Sequence, residues 1–254
     1  MNIAFTLASG AAGAAVGLGT GWLNVVLERV ERLHQEEDEE RTEYEVEVAK
    51  EADAARERGE PAAEAAPWLP EKYGWTWLEW GLGPVLGALS FGLFAGRETL
   101  TWAALETFLW MAVFVQIVLF DLKHRLILDK ITYPAIVVAV VLSAVTPGLS
   151  FTRSLVGGAV IGGFFLLFHL ISRHGIGLGD AKLGALIGAV TGLGLDSPDH
   201  LQAIYAVTGG VFLGGAVALL LLVTRVRSLK DPIPYGPFLC AGAVLVLFQS
   251  LPLT

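Results

Sequence analysis

The sequence predicts an all-α polytopic membrane protein: a bundle of about eight transmembrane helices with a polar, acidic cytoplasmic insert after the first. Three observations predict it. Apolar residues make up 54% of the 254 positions and the mean hydropathy is +0.61, and several runs reach the roughly 17–25 residues that a helix needs to cross a bilayer. The 30 glycines suit helices that approach closely in lipid. Lys and Arg collect in alternate loops, the asymmetry expected of a multi-pass protein.

Residues 3–27 form the first span, within a unit expected at 1–27. No Lys or Arg precedes Arg29, so the basic n-region of a signal peptide is missing and the segment reads as a retained helix. The polar region 28–72 follows. Its stretch Glu28–Glu64 holds 15 acids and 6 basic residues, a net charge of −9 that accounts for the whole chain's −8. It reads as a solvated extension, helical or disordered, punctuated by Pro61, Pro67 and Pro70; the functional alternative is an acidic surface that draws a basic partner segment. Trp68, Trp75, Trp77 and Trp80 mark re-entry into the bilayer, since amphipathic aromatics gather at its interface. The membrane domain, 73–254, carries the remaining spans at about 77–95, 101–120, 133–147, 153–172, 181–195, 201–223 and 236–252. The sixth span is short, and its start is expected to reach into the glycine motif before it.

Fifteen of the 17 basic residues fall in the loops 28–72, 121–132, 173–182 and 224–235, against Arg97 and Arg153 on the other side. Basic loops stay in the cytoplasm, so both termini are expected outside. Asp121 and Asp180 then share the cytoplasmic face.

That placement gives chemistry to the stretch Gly175-Ile176-Gly177-Leu178-Gly179-Asp180-Ala181-Lys182. Ionisable groups at the edge of an apolar segment are costly and so point to function, and glycines let another segment approach the backbone closely. A second acid closes the third span in Phe120-Asp121-Leu122-Lys123-His124-Arg125. Two neighbouring carboxylates share one proton and titrate as a unit. The ionised one can then activate a water while the protonated one polarises a peptide carbonyl, as in aspartic proteases. This scheme needs no metal. The Gly-x-Gly before Asp180 offers a backbone against which an extended peptide can lie.

Blander readings compete residue by residue. Asp180 suits a helix cap or first turn, Asp121 a span end, and Asp129 a turn or cap for the fourth span. Lys123 and Lys182 read as snorkelling or lipid-facing cations. His34, His124, His169, His174 and His200 show no ligand spacing. The single cysteine, Cys240, excludes an internal disulfide and a cysteine zinc site. No phosphate-binding loop, Ser/His/Asp pattern or extra basic patch is present, so nucleic acid is not an expected partner.

Four separated pieces resemble the type IV prepilin peptidases, intramembrane aspartic proteases with a Gly-x-Gly-Asp motif. They are Leu23-Asn24-Val25-Val26 with Arg29; Asp121 through Asp129-Lys130-Ile131-Thr132; Gly177-Leu178-Gly179-Asp180-Ala181-Lys182; and Ile233-Pro234-Tyr235-Gly236-Pro237-Phe238-Leu239. The resemblance implies that Asp121 and Asp180 are the catalytic aspartates, with Gly177, Gly179, Lys182, Asn24, Pro234, Gly236 and Pro237 binding substrate or supporting the motifs. It implies a bacterial inner-membrane enzyme whose partners are the lipid bilayer and a prepilin or pseudopilin of a type IV pilus or type II secretion machine. The substrate's basic cytoplasmic leader would be cut at its junction with an apolar helix, typically after a glycine. Many members also methylate the new N-terminus with S-adenosylmethionine. Many carry two Cys-x-x-Cys pairs after the first span as well; here that region has no cysteine, so zinc is not expected and methylation stays open.

Two other readings remain. An ion-coupled transporter would use the two acids as cation ligands at a broken helix, and a presenilin-like protease would hold them deeper in the bilayer.

Overall fold

The computed structural model describes residues 3–31, 37–58, 74–95, 102–171, 177–194, 200–224 and 234–249. Pro61, Pro67, Trp68, Pro70, His34, Arg97, His174, Gly175, Ile176 and Ile233 lie outside the described residues. Among the described residues there is no strand. The helices are α1 (Ile3–Glu31), α2 (Glu37–Glu57), α3 (Gly83–Ala95, entered through a π-helical turn at Leu78–Leu82), α4 (Trp102–His124), α5 (Asp129–Val145), α6 (Phe151–Ile171), α7 (Leu178–Thr191), α8 (Gln202–Val223) and α9 (Gly236–Gln249).

The acidic insert contributes the polar α2. The eight apolar helices occupy the expected positions. Helices α1, α4, α6 and α8 are long and apolar enough to cross a membrane. The other four are shorter: α3 has 13 residues, α5 17, α7 14 and α9 14.

Apolar side chains seal the middle of the bundle, with Met111 and Phe114 of α4, Leu183, Leu186 and Ile187 of α7, and Leu239 of α9 almost wholly buried. Lipid offers little hydrophobic drive between helices, so close packing must hold them. Glycines make that packing close. A methyl group on Gly157 of α6 would overlap the Gly188 carbonyl of α7, and the same holds between Gly13 of α1 and Gly87 of α3, and between Gly242 of α9 and Ala206 of α8.

Three helix ends differ from expectation. Helix α4 continues through Asp121 to His124, because Arg125 takes φ +55° and donates its N–H to the Asp121 carbonyl at 2.8 Å, turning the chain only there. Asp121 is therefore buried in a last helical turn and does not begin a loop. Helix α7 starts at Leu178, inside the glycine motif, and stops at Thr191, short of 195, because Gly192 takes φ +74°. Helix α5 begins at Asp129, whose carboxylate complements the positive end of the helix dipole.

Lys123 does not snorkel. Its side chain is 5% exposed and its Nζ lies 2.5 Å from Glu28 of α1 and 2.9 Å from Glu79 of the π turn. Nζ also donates to the Gly74 carbonyl at 2.6 Å, and the Gly74 N–H returns a bond to Glu28 at 2.8 Å. His124 Nε2 sits 2.9 Å from the same carboxylate. A buried carboxylate without a partner is far costlier than a paired one, so this cluster pins the ends of α1 and α4 and the start of α3 together. The prediction is that Lys123→Met lowers stability in detergent-solubilised unfolding by about 3–5 kcal/mol, the usual result of stranding a buried charge. Adding Glu28→Gln and Glu79→Gln to that variant should restore much of the loss.

Candidate active site

Asp121 and Asp180 meet in one cavity. It has a volume of about 1140 Å³, and its walls include Asp121 and Arg125 from the end of α4 and Gly177, Gly179, Asp180 and Lys182 from the start of α7. Helix lengths explain the recess. From the Gly157–Gly188 crossing, α6 runs on to Ile171 while α7 reaches back only to Leu178; at 1.5 Å per residue, α6 overhangs α7 by roughly one turn. Both carboxylates line this one cavity.

Each carboxylate is held through one oxygen by a glycine amide. Gly236 donates its N–H to Asp121 Oδ2 at 3.1 Å, and Gly177 donates its N–H to Asp180 Oδ2 at 3.1 Å. The second bond is half of a capping box: Asp180 is the third residue of α7 and reaches back to the residue before the helix. The first-turn role of Asp180 and its place in the cavity thus coexist. Gly236 has no room for a side chain, since a β-carbon there would lie 2.6 Å from Asp121 Oδ2. Gly179 packs against Ile127, its β-carbon position 3.2 Å away.

Around this pair lies a rim of charges. Lys182 pairs with Asp129 and lies 5.4 Å from the centre of the Tyr133 ring; Lys130 pairs with Glu31 at 3.1 Å. Lys182 therefore ties α7 to α5 and does not face lipid. Asp129 is exposed at the cavity mouth, as its turn or cap reading required, and it is paired. The Tyr235 hydroxyl donates to the Val211 carbonyl at 3.3 Å, and burial, with the Asp180 carboxylate nearby, pushes its phenol up.

Of the other residues named from sequence, Pro234 lines the cavity. Pro237 does not, and Gly236 acts through Asp121. Asn24 lies elsewhere: it is fully buried in α1 and accepts a hydrogen bond from Gln116 of α4. Its Nδ2 and Gln116 Oε1 have no partner. The sequence reading missed Gln116, Glu28 and Glu79. A glutamine inside an apolar run is a signal of a polar contact in lipid, but nothing in the sequence says with which helix.

Among the described residues, no group of three or more His, Cys, Asp or Glu is arranged to hold a metal ion.

A chain with membrane-spanning helices that sets two carboxylates at the edge of one cavity has the layout of an intramembrane hydrolase, and its relatives show which kind. Residues 105–223, which include both aspartates, match the type IV leader peptidase family. Over 150 residues the chain is 35% identical to the leader peptidase HopD of Escherichia coli, covering 56% of this chain and 92% of that protein. It is 32% identical over 178 residues to a prepilin leader peptidase/N-methyltransferase of Burkholderia pseudomallei, covering 66% of this chain and 55% of the relative. A Xanthomonas campestris protein of the same description is 29% identical over 135 residues, covering 50% of this chain and 44% of its own. The chain thus spans about half the length of the relatives named N-methyltransferase. No solved structure matches it. The chain belongs to the type IV leader peptidase family and is a peptidase.

Gly236→Ala should move the Asp121 carboxylate and lower peptidase turnover on the order of a hundredfold, the effect of an ångström-scale misplacement. Gly209→Ala, where a β-carbon meets nothing within 4 Å, should leave turnover unchanged in the same assay.

Proposed function

We propose that the protein cuts the basic leader from a prepilin or pseudopilin, with Asp121 and Asp180 sharing one proton and activating a water between them. The observation that carries this reading is the meeting of the two aspartates in one cavity at the face where α4 ends and α7 begins. With Oδ2 of each held by a glycine amide, the remaining oxygens are the ones left for water and substrate. The ionised carboxylate takes a proton from the water as its oxygen bonds to the scissile carbonyl carbon. The protonated carboxyl donates a hydrogen bond to that carbonyl oxygen. Collapse of the tetrahedral intermediate breaks the C–N bond, and the departing amine takes the proton that the base acquired. A water positioned between two carboxylates and a peptide drawn into a low-dielectric recess both favour this step.

The position along the helices speaks against ion transport. Asp121 lies in the last turn of α4 and Asp180 in the first turn of α7, at one end of the bundle and away from the midplane where coupled ions are bound. By the distribution of Lys and Arg this end faces the cytoplasm, where a basic leader would wait.

N-methylation would draw on S-adenosylmethionine as methyl donor. Asn24, the residue quoted for the N-terminal signature, is sealed against Gln116 and does not line the cavity.

Co-expression with a candidate prepilin, followed by the mass of its N-terminus, tests cleavage and methylation together. Asp121→Asn and Asp180→Asn should each cut leader removal by roughly 10²–10⁴-fold, the range for a general acid or base, while the protein still inserts. Full cleavage by either variant would refute the paired mechanism. The acidic α2 should aid capture of the basic leader: deleting residues 36–60 is expected to weaken substrate binding and flatten its salt dependence, since only exposed charge attraction is screened.

A further inference from the structure

Beyond the two aspartates, the cavity has a wall that peptide hydrolysis alone does not explain. Phe164, Phe165 and Phe168 of α6 line it, and so does Val211 of α8. Phe165 is buried at 4% exposure. Phe164 and Phe168, however, are 50% and 42% exposed. A side chain that lines a cavity and is also half exposed stands at an opening. Because α6 and α8 are long, apolar helices, that opening faces lipid.

The geometry points to a docking groove for a single apolar transmembrane helix between α6 and α8, with Phe164, Phe168 and Val211 as its contacts and Asp180 at its end. This inference rests on the leader-peptidase reading and places its substrate. Two observations choose the occupant. Whatever enters from lipid at this level must be apolar and must satisfy its own backbone hydrogen bonds, which only a helix does. Where that helix reaches Asp121 and Asp180, the cavity is lined by four acids, Glu31, Asp121, Asp129 and Asp180, against three bases, Arg125, Lys130 and Lys182; Glu31 is paired with Lys130, and the larger negative charge is that of α2, which has ten acids and three bases and begins six residues after Glu31. Six residues span at most about 20 Å, so the acidic helix starts within that distance of the mouth. An apolar helix whose extended flank is basic matches both ends. Phe164 and Phe168 offer large apolar faces to such a helix. The Tyr235–Val211 hydrogen bond holds the start of α9 against the α8 side of the groove, beside Asp180.

The test uses the full chain carrying Asp180→Asn, in phospholipid vesicles, with a synthetic single-span peptide that has a lysine-rich leader and a glycine at the junction. A benzophenone amino acid replaces Phe164, Phe168 or, as a control, Val137, which is 61% exposed on α5 and lines no part of the cavity. Adducts with the peptide's apolar segment at 164 and 168, and their loss at 137, support the groove. Adducts at 137 that equal those at 164 and 168 overturn it, as does their absence at 164 and 168 when the wild-type chain cuts the same peptide. Cleavage by the wild-type chain is scored in parallel, so failure of the peptidase reading is told apart from failure of the groove. Independently of the probe, Phe168→Ala should raise KM for this peptide several-fold and Phe168→Leu should restore it; an unchanged KM for Phe168→Ala contradicts the proposal.

Discussion

Carboxylates buried at a membrane face have to be matched one by one, and the ends of the helices in this protein are arranged around that demand. Glu28 and Glu79 are matched by a cation, Lys123, with help from Gly74 and His124. Asp121 and Asp180 are matched differently: each accepts a hydrogen bond from a glycine amide, and both line the same cavity. The first pair shares that cation and becomes structural. The second pair is held by backbone amides at one cavity, and it is this pair that we propose shares a proton. Asp121 and Lys123 are only two residues apart on α4, so one helical turn presents one acid to the cavity and one cation to the opposite cluster.

Packing fixes that arrangement. The close crossings of α1 with α3, α6 with α7 and α8 with α9 leave the short helices α7 and α9 recessed among longer neighbours, and the recess is the cavity. Had α7 been as long as α6, its first turn would fill the space where a peptide has to lie. Gly177 and Gly236 complete the geometry from two chain segments that are distant in sequence. Each supplies an N–H at the start of a helix, where backbone donors are free. The ion pairs of Lys182 with Asp129 and of Lys130 with Glu31 link α7, α5 and α1 around the mouth. Being partly exposed, they contribute modestly to stability.

Much of this was legible in the sequence. Long apolar runs separated by charged loops gave the number and order of the apolar helices, and the glycine motif next to Asp180 announced a helix start. The pairing of Asp121 with Asp180 followed from both acids falling at ends on the same side. What stayed hidden was long-range pairing. Lys123 looks like any flanking cation until Glu28 and Glu79 are folded against it, and counting charges per loop cannot reveal that a charge is buried. Glu79 was screened by the tryptophans around it, of which Trp77 and Trp80 are indeed exposed in the manner of an interfacial belt. Arg125 carries no mark of its positive φ, so the end of α4 was placed before Asp121 when it lies after it. Asn24 had a motif but no partner; Gln116, 92 residues away, could be found only in three dimensions.

The claim on which everything else rests is that Asp121 and Asp180 act as one unit. Residues that share a single proton and a single water are not additive when removed. The direct measurement is therefore the rate of leader cleavage by Asp121→Asn, Asp180→Asn and the double variant, each in reconstituted membranes with insertion verified. The account predicts that the double variant is no slower than the slower single one. A double variant whose loss equals the product of the two single losses would show that the carboxylates work independently, and would contradict it.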